Sequence, residues 1–330
     1  MPRAESWFPL RASRTWRLAL AAALLTSPAG AKLCGDNVSG SDVPCACGDV
    51  LVSDVVLGDD PIVTAGPCPS DGLVVRVAGT ARGVVINLNG THLQGSRQGT
   101  GIWVVHGGLG GARIVSPAGS ATIEGFRDGI MANGADTVAL IDGVVVQDSV
   151  RDGFRLRAPG YEVRNCEAHS SGGYGFSLMG SNYRVSATRA TDNEEANYYI
   201  MGQGGTLGVP GAGLVSEGGD YGFKMMGMGH RLIGCSATGA SDAGLRFWGM
   251  NIHIRDCAAS DNAGDGISGY GMDLQLSGNH ATDNGGEGVL VDGLVRQVQD
   301  QGGNSGSGNQ GLKRSGPAVQ CAIAGQPCLP

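Results

Sequence analysis

Beyond its first 31 positions the chain has no apolar run long enough to cross a membrane. No window of useful length carries apolar residues at helical spacing, which argues against helical repeat arrays. Positive charge is not in surplus either. The 23 Lys and Arg stand against 30 Asp and Glu, a formal net charge of -7, so the chain is a poor candidate for general nucleic-acid binding. Proline is ordinary at 13, and no collagen-like triplet is present. The excess is in glycine, at 59 of 330 residues. With 41% apolar residues available for a core, that excess predicts many tight turns rather than disorder.

Residues 1–31 read as an export signal. Arg3, Arg11, Arg14 and Arg17 form a basic leader, Leu18 to Leu25 is a short apolar run, and Ala29-Gly30-Ala31 offers a small-residue cleavage site. Cys34 raises a lipoprotein reading, against which Lys32 stands where a small residue is needed. Removing the leader takes away four Arg and one Glu, leaving 19 basic and 29 acidic side chains, a net of -10. All nine cysteines stay in the mature part, and export to the periplasm or the extracellular space makes disulfides plausible.

Aligned on its glycines, the sequence shows a period. Blocks of 22 residues start at Gly153, Gly175, Gly222, Gly244 and Gly266, and the pattern restarts at Gly288. The interval from Gly175 to Gly222 holds two coils, the second starting at Asn197 and running three residues long. Looser copies start at Gly101 and Gly129, and the pattern ends near Gly311. A fixed period of this size predicts a solenoid. Within each block the apolar residues alternate, at positions one and three and again at eight and ten, which is strand patterning. The LxxLxL line of leucine-rich repeats and the six-residue beat of left-handed helices are both missing. Three short strands joined by turns fit the block, predicting an all-β, right-handed parallel β-helix.

The columns agree. Position one reads Phe154, Phe176, Tyr198, Phe223, Leu245, Ile267, Val289, and position fifteen reads Ala168, Ala190, Ala237, Ala259, Ala281. Like residues stack at the ~4.8 Å spacing of parallel strands and bury a continuous core. Three blocks end alike, at 190–193, 259–262 and 281–284, where Asn is expected to take a left-handed turn and Asp to bond nearby amides. The predicted organisation is a signal peptide at 1–31, an N-terminal cap with irregular coils at 32–100, the β-helix at 101–310, and a C-terminal cap or tail at 311–330.

The stretch 47–104 resembles the entry coil of secreted bacterial right-handed β-helix proteins of the pectate-lyase-like superfamily. The likeness rests on Cys47-Gly48-Asp49, Cys68, Gly72-Leu73, Leu88-Asn89-Gly90 and Gly101-Ile102, and with the repeats it covers roughly 47 to 310. It implies the fold more than the activity, because the superfamily includes polysaccharide lyases, hydrolases and epimerases, tailspikes, adhesins and copper-delivery proteins. The alginate-epimerase "DPH", the polygalacturonase "NTD" and "GHG", and a pectate-lyase calcium cluster are absent.

Three chemistries compete. The outward side of the first strand carries Arg155, Ser177, Tyr199, Lys224, Arg246 and Ser268, flanked by Arg157, Trp248 and Tyr270. Cations pair with carboxylates and flat rings stack on sugars, so this stripe suits an acidic polysaccharide; an envelope protein is the other partner to consider. If the stripe is catalytic, Arg246, His253, Arg255 and Asp256, all from one rung, can supply a base, an acid and a cation. Met226, Met228 and His230 offer soft-metal ligands for copper, although Met226 and Met228 also stack with like residues in neighbouring rungs. The Asp-Asn rung ends offer oxygens to Ca²⁺, which turn chemistry also explains. Among the cysteines, Cys47–Cys68 and Cys321–Cys328 are the preferred bridges, then Cys34–Cys45. Cys166, Cys235 and Cys257 share a column and are expected to be free and buried. A bridge between Cys235 and Cys257, on adjacent rungs, is disfavoured by strand geometry.

Overall fold

The computed structural model describes residues 31–58, 63–77, 81–293, 298–311 and 319–329. The predicted signal peptide thus lies outside the described residues, apart from Ala31. The described chain is all strand and turn. Each coil contributes one strand to each of three sheets, of 15, 11 and 10 strands, called here the first, second and third sheet in the order a coil meets them. Pairing between successive coils is parallel throughout the stack, and antiparallel strand pairs lie at its two ends, with one antiparallel bridge, Val209 to Ala212, between them.

The position-one column is the spine of the core. Phe154, Phe176, Tyr198 and Phe223 stack with ring centroids 4.6, 5.1 and 4.6 Å apart and planes within 7° of parallel. Tyr198 tolerates this interior because its phenol lies 3.1 Å from the Thr188 hydroxyl and donates to the Val215 carbonyl at 3.2 Å. The three-residue insertion of the coil starting at Asn197 leaves the columns intact. It bulges at residues 208–213, and Leu214 regains register with Thr188 before it and Cys235 after it.

One glycine column explains part of the composition. Gly180, Gly202, Gly227 and Gly249 pair in register near the end of the first-sheet strands, all with positive φ. A Cβ on Gly202 would sit 2.0 Å from the Gly180 carbonyl oxygen, and one on Gly227 2.1 Å from that of Gly202. Glycine is needed there for both space and conformation.

The rung ends reverse the expected division of labour. Asp192, Asp261 and Asp283 take the left-handed conformation, whereas Asn193, Asn262 and Asn284 turn inward and are buried. Asn262 Nδ2 donates to Asn284 Oδ1 at 2.8 Å and to the Ala237 carbonyl at 3.3 Å. Asn284 Nδ2 donates likewise to Asn309 Oδ1 and the Ala259 carbonyl, at 2.8 and 3.1 Å. Each Oδ1 accepts in addition a backbone amide of the preceding coil. The ladder ends where Asn309 donates to Gln320 Oε1 at 3.0 Å. An aspartate turned inward would have no donor for the carbonyl above it, which is why the amide side chain takes the interior.

Both ends are bridged. Cys34–Cys45 and Cys47–Cys68 pin the N-terminal coils, where Leu33–Val38 pairs antiparallel with Ser41–Val43. At the other end Cys321–Ile323 joins the first sheet beside Val289–Val291, turns back on Gln326–Pro327, and is closed by Cys321–Cys328. Cys235 and Cys257, expected to be free, form a fourth disulfide with Cα atoms 4.4 Å apart. The reason is local. Cys257 follows Asp256, which has φ of 53°, so it sits at a corner between strands rather than inside a flat parallel pair. Cys166 is free and buried, with its thiol pushed up to about 12 chiefly by burial. Four disulfides suit maturation in an oxidising compartment outside the cytoplasm.

Replacing Asn284 by Ala takes their Asn284 partner from the Ala259 carbonyl, the Asn262 backbone amide and the Asn262 side-chain amide, so Asn284→Ala should cost roughly 3 kcal/mol or more. Urea unfolding monitored by circular dichroism measures it, with an exposed change such as Glu194→Ala expected to stay within about 0.5 kcal/mol.

Candidate functional site

Outward side chains of the first sheet form two adjacent columns. One holds Trp103, Met131, Arg155, Ser177, Tyr199, Lys224, Arg246 and Ser268 in register. The next holds Arg157, Met179, Met201, Met226, Trp248 and Tyr270. All nine residues of the predicted stripe therefore share one face. They are not equally available. Tyr199 is only 9% exposed, whereas Trp248 and Tyr270 are 36% and 55% exposed.

The upper part of the face is a closed polar cluster. Arg155 spans two carboxylates, with Nη1 3.7 Å from Asp128 Oδ1 and Nε 3.7 Å from Asp152 Oδ2. Asp128 is fully buried, and the buried Ser177 hydroxyl, in register with Arg155, has no hydrogen-bond partner among the described residues. Burial first, then the Asp128 charge, raises the Asp152 carboxyl above its ordinary range, against the pull of the Tyr174 amide and Arg155. Tyr174 stacks on Tyr199 at 4.5 Å, and burial together with the Glu195 carboxylate raises its phenol.

The lower part is open. The Tyr221 hydroxyl donates to Asp242 Oδ2 at 2.6 Å, and Arg246 Nη1 lies 3.4 Å from the same hydroxyl and 3.6 Å from the same carboxylate oxygen. The Arg246 guanidinium sits 5.9 Å from the Tyr221 ring centre and 5.1 Å from that of Trp248, and Lys224 Nζ is 4.8 Å from Tyr221. Beyond Arg246 lies a cleft of about 270 Å³ edged by Trp248, Asp265, Ser268, Tyr270 and Asp292. Its floor is Gly269, where any Cβ would fall 2.3 Å from the Phe247 ring.

Asp128, Asp152, Tyr174 and Tyr221 were not legible as site residues. They occupy the column just before each block's glycine, outside the alternating positions that mark the strand. The chemical identities along that column, from Thr100 through Asp128, Asp152 and Tyr174 to Tyr221, were the available signal.

The four catalytic candidates are divided between elements. Arg246 lies on the first sheet, His253 and Arg255 on the second-sheet strand His253–Arg255, and Asp256 at the corner after it. Arg255 is bound to Asp256 at 2.9 Å, and His253 Nε2 lies 3.1 Å from Asn251 Oδ1. The copper candidates also separate. Met228 is 44% exposed, while His230 is fully buried and accepts the Gly205 amide on Nδ1 at 3.1 Å. That bond occupies the lone pair a metal would need, and the ring tilts against Tyr183 at 6.2 Å as a packing element. For calcium, the rung-end aspartates and asparagines point different ways, and the asparagine oxygens are taken up in the internal ladder. Among the described residues no group of three or more His, Cys, Asp or Glu gathers as a metal site.

Two pH effects follow. Burial lowers the His230 imidazole below its ordinary 6.5, so the folded state binds this proton less readily than the unfolded state. Stability should fall as pH drops below about 6.5, and His230→Gln, which keeps an acceptor for Gly205, should remove that component from thermal unfolding curves. Asp152 has the opposite sign. Its raised carboxyl favours folding when protonated, so stability should fall as pH rises through the window above 3.8, and Asp152→Asn should abolish that slope in the same measurement.

Among the described residues no helix is long and apolar enough to cross a membrane. No relative among curated proteins matches the chain. A solved structure, the A-module of the mannuronan C-5 epimerase AlgE4 of Azotobacter vinelandii, aligns with a TM-score of 0.35 and 15% identity, covering 74% of this chain and 72% of that one. At that distance it carries no information about chemistry. Residues 128–299 match the sequence profile described as the right handed beta helix region, which spans more than half of the chain, and the protein belongs to that family.

Proposed function

We propose that this is an exported protein whose first-sheet face binds an acidic glycan without turning it over. The observation that carries the reading is the open Arg246 platform. A guanidinium is held between the Tyr221 and Trp248 rings, beside a cleft of about 270 Å³ that Tyr270 overhangs. Exposed rings offer flat apolar surface to sugar faces, and Arg246 with Lys224 supplies charge for uronate carboxylates. Lys224 has no acidic partner among the described residues. The coil spacing of ~4.8 Å repeats such contacts along the rod, as a polymer requires. Non-turnover is favoured by the commitments of the nearby acids: Asp242 is bonded to Tyr221 and paired with Arg246, while Asp128 and Asp152 flank Arg155.

A polysaccharide lyase, epimerase or hydrolase is the second reading. The Tyr221–Asp242–Arg246 constellation favours it, since a phenol and a guanidinium side by side can serve as acid and charge stabiliser for an enolate.

Calorimetric titration of the mature protein with polygalacturonate and alginate oligosaccharides, with and without Ca²⁺, tests both readings. Binding that weakens with salt, and falls about tenfold in Trp248→Ala and in Arg246→Ala, is the expected outcome. Unsaturated products by ultraviolet absorbance, new reducing ends, or solvent-proton exchange at C5, lost in Tyr221→Phe, would establish the second reading instead.

A further inference from the structure

The second sheet has an outward face of different character. Its strands place Arg184, Thr206, Arg231, His253 and Gln275 in one register column. Ile233, Arg255 and Ser277 form the column beside it. Between them lies a cleft of about 210 Å³, bordered also by Gln301 from the following coil. In a chain of net charge -7, no carboxylate lines this cleft.

Several exposed arginines of this protein are held by acids, among them Arg82 by Asp54, Arg164 by Asp142 and Arg189 by Glu217. Arg231 and Arg184 have no ion pair among the described residues. Arg255 has Asp256, which lies at the corner and outside the cleft lining. The uncharged polar groups are arranged as donors. Gln301 Nε2 donates to Gln275 Oε1 at 3.0 Å, which engages the Gln275 oxygen and leaves its amide hydrogens for another partner. The Ser277 hydroxyl completes the set. The Arg231 charge also depresses the His253 imidazole, after burial, which is the mark of a positive potential lacking its counter-charge.

We infer that this second-sheet cleft is an oxyanion-binding site, built to take a sulfate or carboxylate group between Arg231, His253 and the Gln275 amide, separate from the first-sheet face. Arg231 supplies the planar fork that matches two oxygens of either group. The Ile233 side chain gives the cleft an apolar wall, so a group carried on a sugar ring has surface to rest on. The site does not depend on the first-sheet reading, and the two are tested by different variants.

The experiment is NMR titration of the full mature protein with sodium sulfate, sodium glucuronate, and oligosaccharides bearing each group, at ionic strength held constant with sodium chloride. Saturable shifts confined to the His253 ring and the Gln275 and Gln301 side-chain amides are expected, with affinity lost at least tenfold in Arg231→Ala and unchanged in Trp248→Ala. Tighter binding of either oligosaccharide than of its free anion identifies a glycan as the carrier; equal binding identifies the free ion. Arg231 is exposed, so its removal leaves the fold intact, and Arg231→Lys should retain only part of the affinity. Non-saturable shifts, shifts matched by chloride alone, or an Arg231→Ala variant that binds as the parent does would overturn the inference.

Discussion

Everything in this molecule is positioned by one constraint: each coil must lie on the next with its backbone in parallel register. Strand pairing repeats that relation in all three sheets, so a side chain's place in its coil decides its neighbours above and below. The stacked rings of Phe154, Phe176, Tyr198 and Phe223, the glycines at 180, 202, 227 and 249, and the inward asparagines are three answers to the same demand. The rings fill the interior, the glycines allow carbonyls to approach, and the asparagines satisfy backbone groups at a corner where the sheets change direction.

The same constraint governs the surface. A column of outward residues becomes a stripe along the rod, and its chemistry is set by substitutions at one position of the block. The first-sheet stripe is therefore mixed along its length, closed and acid-paired around Arg155 but open and aromatic around Trp248. The second-sheet stripe differs again, because Arg231 lies between Thr206 and His253 with no acid beside it in its column, and Glu162, the neighbour of Arg184, is paired with Arg164 instead. Outward faces with differently paired cations thus coexist on a chain whose overall balance is acidic.

What the sequence disclosed follows from periodicity. The 22-residue spacing and the alternation within it located the strands, the core columns and the shared face of Arg155, Tyr199, Lys224, Arg246, Trp248 and Tyr270. What it concealed lies at corners and in the direction of single side chains. The residue before each glycine falls outside the alternating pattern yet lies on the outward face, which hid Asp152, Tyr174 and Tyr221. Asp and Asn at the rung ends are both good turn formers, and only the buried hydrogen-bond partners decide which one goes inside. Cys235 and Cys257 were one coil apart in the count, but their ability to bridge depended on the left-handed corner at Asp256. His230 read as a possible ligand because composition cannot show that its Nδ1 is already occupied by a backbone amide.

The asparagine ladder makes length a discrete variable. Asn262 and Asn284 draw on the coil before and the coil after in the same way, whereas Asn193 meets Asn197 and Asn309 meets Gln320. Duplicating or deleting a whole coil between these points reproduces every bond, whereas a partial coil breaks two rungs of the ladder at once. The length of the outward faces can therefore change in whole-coil steps, with the terminal pieces untouched. Extra residues between those steps survive only where they loop outward at a corner, as residues 208–213 do.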